Sequence, residues 1–187
     1  EHVGETTTTP AIINQNPEHQ AIDVPFYIKE ISFYLHDNQG DLMDYKVTTS
    51  PNIGSKSANG VSNGQVVVPV SGLAPSTQYT WNVEFTDNGK SFYKEYTFKT
   101  GKAYSLILNT SGEGTIEMDS DCTAMCQAGE EITLTAIPAE GWQFIGWSGG
   151  KVLTPVNGID NPKTFIVQDD TTVTAVFRRI GSLLLLD

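Results

Sequence analysis

The residues that invite a chemical reading are few. Cys122 and Cys126 lie four apart. Two thiolates are half of a tetrahedral zinc site, which takes four ligands, commonly from two spaced pairs. No second cysteine pair follows, and His2, His19 and His36 all lie in the other half of the chain. In an oxidising exterior the pair instead reads as a local disulfide across a turn. Asp37, Asp41 and Asp44 gather around one predicted turn. Carboxylates on a tight loop, with backbone oxygens beside them, suit calcium. The spacing does not follow an EF-hand loop, and the competing reading is a solvated β-turn that uses Asp and Gly for backbone reasons. Asp119 with Asp121 is a second acidic pair, less suited than the first. Calcium is the one cofactor that enters.

Catalysis has little to stand on. A nucleophile needs a base within hydrogen-bond reach and a third group to orient it. His19 and His36 sit in no motif of that kind, and the chain carries no G-x-S-x-G, HExxH or phosphate loop. A non-enzyme is the reading. Trp81, Trp142 and Trp147 are either sugar-stacking platforms or core. Trp142 and Trp147 are five apart in one strand region, so alternation sends them to opposite faces unless a bulge intervenes. Asn109-Thr110-Ser111 is a single glycosylation sequon.

The elements that would position these groups are all strands. Hydrophobic residues make up 39% of the 187, enough for cores, and charged residues only 18%. A formal net charge of -11 argues against nucleic acid and anionic membrane surfaces, because phosphate binding needs clustered cations. No apolar run approaches the roughly 18 residues of a membrane helix. The chain starts at Glu1 rather than Met, as expected of a removed signal peptide or an excised fragment.

Residues 1–9 read as an extended, threonine-rich arm. From 10 to 100, short alternating runs are cut by turns. Ile31, Phe33 and Leu35 alternate with polar neighbours; Tyr45–Thr49, Gln65–Val70, Gln78–Thr86 and Ser91–Thr100 are further strands, and residues 50–64 read as a Ser/Asn/Gly loop. Asp87-Asn88-Gly89 signals a hairpin. A seam at Thr100-Gly101-Lys102 opens a second unit, 101–180, with its own even series of short strands.

Leu73-Ala74-Pro75-Ser76-Thr77-Gln78-Tyr79-Thr80-Trp81-Asn82-Val83 resembles the L-x-P-x-T-x-Y stretch of fibronectin type III-like domains, and Tyr96–Thr100 resembles their last strand. Tyr79, Trp81 and Val83 would alternate inward, with the Tyr79 hydroxyl bonding back to the loop. In the second unit, Gly114-Thr115-Ile116, Gly129–Ala139, Gly141–Gly149 and Thr174–Phe177 resemble internalin-type B-repeats of microbial surface proteins. Many such repeats carry a C-x3-C pair just before the Gly-Glu turn. Together these resemblances imply an all-β chain of two tandem small domains: an N-terminal Ig/fibronectin III-like β-sandwich (10–100) and a C-terminal β-repeat domain (101–180) in a spacer or adhesive role.

The tail 181–187 holds Leu183-Leu184-Leu185-Leu186 beyond the last expected strand. Left in water these would be an aggregation hazard, so they read as an extra strand, the start of a further segment, or a strand inserted into another subunit. Thr6, Thr7, Thr8 and Thr9 of the arm are candidates for the same task. The expected function is a secreted or surface-exposed structural or adhesive protein, a stalk or a filament subunit assembled by β-strand exchange. Its expected partners are further copies of itself or neighbouring domains of a surface protein. The alternative is a carbohydrate-binding or spacer module of a secreted enzyme, with a glycan as partner.

Overall fold

The structure is a computed structural model that describes residues 9–150 and 157–181. Among them every regular element is a strand, fifteen in all. The chain divides into two compact units, 1–101 and 102–187.

The first unit is a two-sheet sandwich. Its smaller sheet has the order β1 (Ala11–Asn16), β3 (Glu30–His36), β6 (Gly64–Pro69); its larger sheet has the order β2 (Ala21–Val24), β8 (Lys90–Thr100), β7 (Gln78–Asp87), β4 (Met43–Ser50), β5 (Lys56–Val61). Most sequential strands thus cross between sheets, and only β4–β5 and β7–β8 pair as neighbours within one, which is the Ig and fibronectin III arrangement. Alternation decides which side chains face inward. Ile31, Phe33 and Leu35 from one sheet meet Val47, Trp81, Val83, Phe85 and Phe98 from the other, all buried. The Trp81 indole stacks on Tyr96 at 4.5 Å and on Phe33 at 5.8 Å between ring centroids. The hairpin turns at Asn88-Gly89, where both residues have positive φ (46° and 76°). A two-residue turn that matches the strand twist requires this, and Asn and Gly supply it most cheaply.

Residues 50–64 are not a plain loop. They contain β5, which pairs with β4 from Met43↔Val61 to Val47↔Lys56. Its sequence, KSANGV, lacks apolar alternation because it is an outer edge strand that is mostly exposed.

The second unit also has two sheets. One has the order β10 (Gly114–Asp119), β12 (Glu131–Pro138), β14 (Lys163–Ile166). The other has the order β11 (Met125–Gln127), β9 (Ala103–Ser111), β15 (Thr171–Arg179), β13 (Trp142–Gly149). The first and last strands, β9 and β15, lie side by side and parallel, from Thr171↔Leu106 to Val176↔Ser111. Ile132, Leu134, Val167, Val173 and Ala175 form the buried centre, with Leu106, Trp147 and Phe177 around it.

A bulge in β13, between Phe144 and Gly146, resolves the two tryptophans. It shifts the alternation by one residue, so Trp142 and Trp147 both face the core side instead of opposite faces. Trp147 is buried and Trp142 packs partly buried against the same cluster. The Trp147 indole donates its N–H to the Asp160 carbonyl at 2.8 Å.

Candidate binding surfaces of the two domains

The conformation of the first domain is tied together at a polar corner. The Tyr79 side chain, 2% exposed, stacks on Phe98 at 5.4 Å. Its hydroxyl accepts the Ala74 N–H at 2.8 Å. Thr100, also buried, donates its hydroxyl to the Ala74 carbonyl at 2.7 Å and accepts the Thr77 N–H at 2.9 Å. Both polar groups of Ala74 are therefore held, its N–H by Tyr79 within the signature stretch and its carbonyl by Thr100 at the end of β8.

On the outer face of the larger sheet, alternation leaves polar side chains in cross-strand rows. The registers Ser57↔Lys46, Lys46↔Glu84 and Glu84↔Tyr93 run one such row across four strands. This face forms an open cleft of about 550 Å³, whose lining includes Asp44, Lys46, Glu84 and Tyr93. Tyr93 is exposed, and its hydroxyl contacts Asn82 Oδ1 at 2.7 Å and Glu95 Oε2 at 3.2 Å. Local desolvation first, then the Glu95 hydrogen bond and the charges of Glu95 and Glu84, raise the phenol pKa above its ordinary value. The result is a hydrogen-bonded aromatic ring in a cleft that carries both signs of charge beside apolar surface from Phe85 and Phe92.

The three aspartates of the sequence-level calcium set part company. Asp37, 1% exposed, accepts the Gln39 and Asp41 N–H groups on Oδ2 at 2.8 and 3.0 Å. Asp41 accepts from the Asn88 amide at 2.6 Å, across to the β7–β8 turn. Asp44 is on strand β4 rather than in the turn; it points outward and accepts the Gly60 N–H at 2.8 Å. A carboxyl the spacing did not suggest takes its place. Asp87, at the end of β7, is 6% exposed, and its acidity is weakened by burial first and then by the charges of Asp37 and Asp41, while Lys90 acts oppositely. Among the described residues no three His, Cys, Asp or Glu side chains converge as a metal-ligand set.

In the second domain Cys122 and Cys126 form a disulfide, with Cα atoms 5.0 Å apart, and both pack into the core. Glu130 organises this loop: its carboxylate accepts from the Ser120 hydroxyl and from the Gln127 N–H, and Ser120 Oγ accepts the Cys122 N–H at 3.0 Å. The Gly-Glu turn of the sequence signature thus holds the bridge in place. Asp119 and Asp121 are exposed beside it, and Asn109 is exposed on β9.

The histidines are spent locally: His19 Nδ1 accepts the Thr97 N–H at 3.2 Å, and His36 Nε2 meets Asn38 Oδ1 at 2.8 Å. His2, Thr6, Thr7, Thr8 and Leu183 to Leu186 lie outside the described residues, and Thr9 is exposed. No described helix is long and apolar enough to cross a membrane.

No curated protein matches the chain. Among solved structures, the chicken CNTN1 FN1-FN3 domains align over 90% of this chain at 12% identity and a TM-score of 0.29, and this chain spans 59% of that one. Titin-A168169 aligns over 90% of this chain and 99% of its own at 8% identity and a TM-score of 0.34. The family match falls on the second domain alone: residues 104–181 are similar to the divergent InlB B-repeat domain, as the pattern of Gly-Glu turn, aromatic strand and closing Val-Phe implied.

Proposed function

We propose that the chain is a non-catalytic extracellular structural or adhesive module, serving as a surface stalk or as the repeating subunit of a filament assembled by β-strand exchange. The observation that carries this reading is the surface-repeat match of the second domain. It is supported by where the large apolar side chains go: Trp81 and Trp147 are buried, and Trp142 packs on its domain's core, so none is left as a ligand platform. Strand exchange is the finer part of the proposal and rests on the sequence of the ends, Thr6 to Thr9 and Leu183 to Leu186. Backbone bonds would complete a neighbour's sheet while alternate side chains fill its groove, and a head-to-tail contact of that kind propagates without closing.

Negative-stain electron microscopy tests it, with native protein beside a form lacking residues 181–187. Regular fibres that vanish on truncation are the expected result. Dispersed particles in both samples overturn the filament. They leave the second reading, a glycan-binding module, which the cleft around Tyr93 favours.

A further inference from the structure

We infer that the turn end of the first domain binds a divalent cation, calcium in an exterior medium, between the carboxylates of Asp37 and Asp87. The inference does not rest on the filament reading. Both residues continue an inward-facing row by one step. Ile31, Phe33 and Leu35 lead to Asp37 on one sheet; Trp81, Val83 and Phe85 lead to Asp87 on the other. Alternation therefore turns both carboxyls into the end of the sandwich instead of out to water.

Each keeps one buried oxygen, Oδ1, without a hydrogen-bond partner. Asp37 cannot swing away to find one. Its Oδ2 holds two turn amides, its own N–H donates to Asn63 Oδ1 at 2.6 Å, and its carbonyl accepts from Asn63 Nδ2 at 2.7 Å. Asp41 adds a third negative charge close by, fixed by Asn88. Buried polar atoms are nearly always satisfied, and like charges in a poorly solvated place oppose each other's ionisation. A cation answers both problems at once.

The donors are all hard oxygens, which select calcium or magnesium over softer metals. Calcium fills a shell of six to eight oxygens with carbonyls and water as readily as with carboxylates, so two carboxylates suffice for a weak site. Entry is from a neighbouring cleft of about 170 Å³ whose lining includes Gln39, Asp87 and Asn88. Lys90, exposed on the same cleft, is the competing cation; its charge acts on Asp87, yet the Oδ1 atoms of Asp37 and Asp87 both stay without a hydrogen-bond partner.

The test is calorimetry of the full chain in metal-stripped buffer at neutral pH, with calcium chloride added to about 10 mM and then removed by chelator. The transition to follow is the one that Tyr79→Phe also moves. Weak extracellular sites have dissociation constants of roughly 0.1 to 1 mM. The folding equilibrium should then shift roughly 10- to 100-fold, read as a rise in Tm of roughly 5 to 20 °C.

Asp87→Asn and Asp37→Asn abolish the rise, and Asp44→Asn keeps it. Asp87→Asn also melts no lower than the parent without metal, because it relieves the repulsion, which separates a lost site from a lost fold. Two outcomes overturn the inference. One is a calcium rise that survives in Asp87→Asn. The other is no calcium rise at all, with Tm climbing instead as pH falls from 7 toward 5 in the parent and not in Asp87→Asn. In that case a shared proton is the partner. A carboxyl with a raised folded pKa binds its proton more tightly folded than unfolded, so its contribution to stability is present at low pH and is lost as pH rises through the folded value.

Discussion

Replacing Tyr79 by Phe removes one oxygen and little else. The ring stays in its slot, stacked on Phe98 at 5.4 Å and 2% exposed, so apolar burial is unchanged. What is lost is the acceptor for the Ala74 N–H, at 2.8 Å in a part-buried corner. An orphaned buried donor costs about 1 to 3 kcal/mol, more than the net worth of an ordinary hydrogen bond, because its desolvation goes uncompensated. The corner is part-buried, so we take the lower half, about 1 to 2 kcal/mol. For a domain of this size each kcal/mol moves Tm by roughly 4 to 8 °C, giving a fall of roughly 4 to 16 °C. The assay is thermal unfolding of Tyr79→Phe, Thr100→Val and the double variant. Thr100 secures the other polar group of Ala74 through its hydroxyl at 2.7 Å. The two losses therefore share one loop and should fall short of additivity by about 0.5 kcal/mol or more. A Tyr79→Phe protein that melts within 1 °C of the parent (about 0.2 kcal/mol) would refute the corner as a source of stability. Strict additivity would refute the claim that both bonds hold the same segment.

Two further outcomes follow for the second domain. Asn161 accepts the Ala136 N–H at 2.8 Å and donates to the Ala136 carbonyl at 2.7 Å. Asn161→Ala should therefore destabilise this domain by about 1 to 2 kcal/mol, measurable by urea unfolding, and an unchanged midpoint would show that water replaces the clamp. Replacing Cys122 and Cys126 together by serine opens a loop closed over a sequence separation of 4. The chain-entropy cost for so short a loop is about 2 kcal/mol, so the domain should still fold, at a lower midpoint; a wholly unfolded second domain would mean that the bridge contributes more than loop closure.

The parts of the fold that could be read from the sequence are those with an apolar rhythm. Ile31, Phe33 and Leu35 announce β3, and Tyr79, Trp81 and Val83 announce β7, because burial on one face imposes a period of two. Strand β5 escaped notice for the same reason. Its residues face solvent at a sheet edge, and its strand state comes from pairing with β4 and not from its own composition. The tryptophans of β13 show a different limit: the bulge after Phe144 inverts the alternation, and one inserted residue moves Trp147 to the core side. Asp37 and Asp87 were hidden by distance. They are 50 positions apart (87 minus 37) and only the pairing of sheets brings them together. The signal that was present is subtler: each is an acid placed where an apolar alternation calls for one more inward residue.

The edges of the sheets constrain how a second copy could attach by a strand. An acceptor edge must be long, regular and unguarded. In the first domain β1, β2 and β5 each carry a register shift. Strand β6 is regular but ends at Pro69, and the Lys56 ammonium donates to its Val67 carbonyl at 2.8 Å, occupying the edge. In the second domain β11 and β14 are three and four residues long, and β13 is bulged. Strand β10 differs from all of these. It pairs with β12 without a break from Gly114↔Pro138 to Asp119↔Thr133, and its other side is a sheet edge. Its outward residues, Thr115, Glu117 and Asp119, are polar, so a strand added there would be held by backbone bonds while its own apolar side chains turn toward Ile116 and Met118. If the proposed filament forms, β10 is the described edge that meets the requirement, and the carboxylates of Glu117 and Asp119 are what keep it from pairing indiscriminately before a donor arrives.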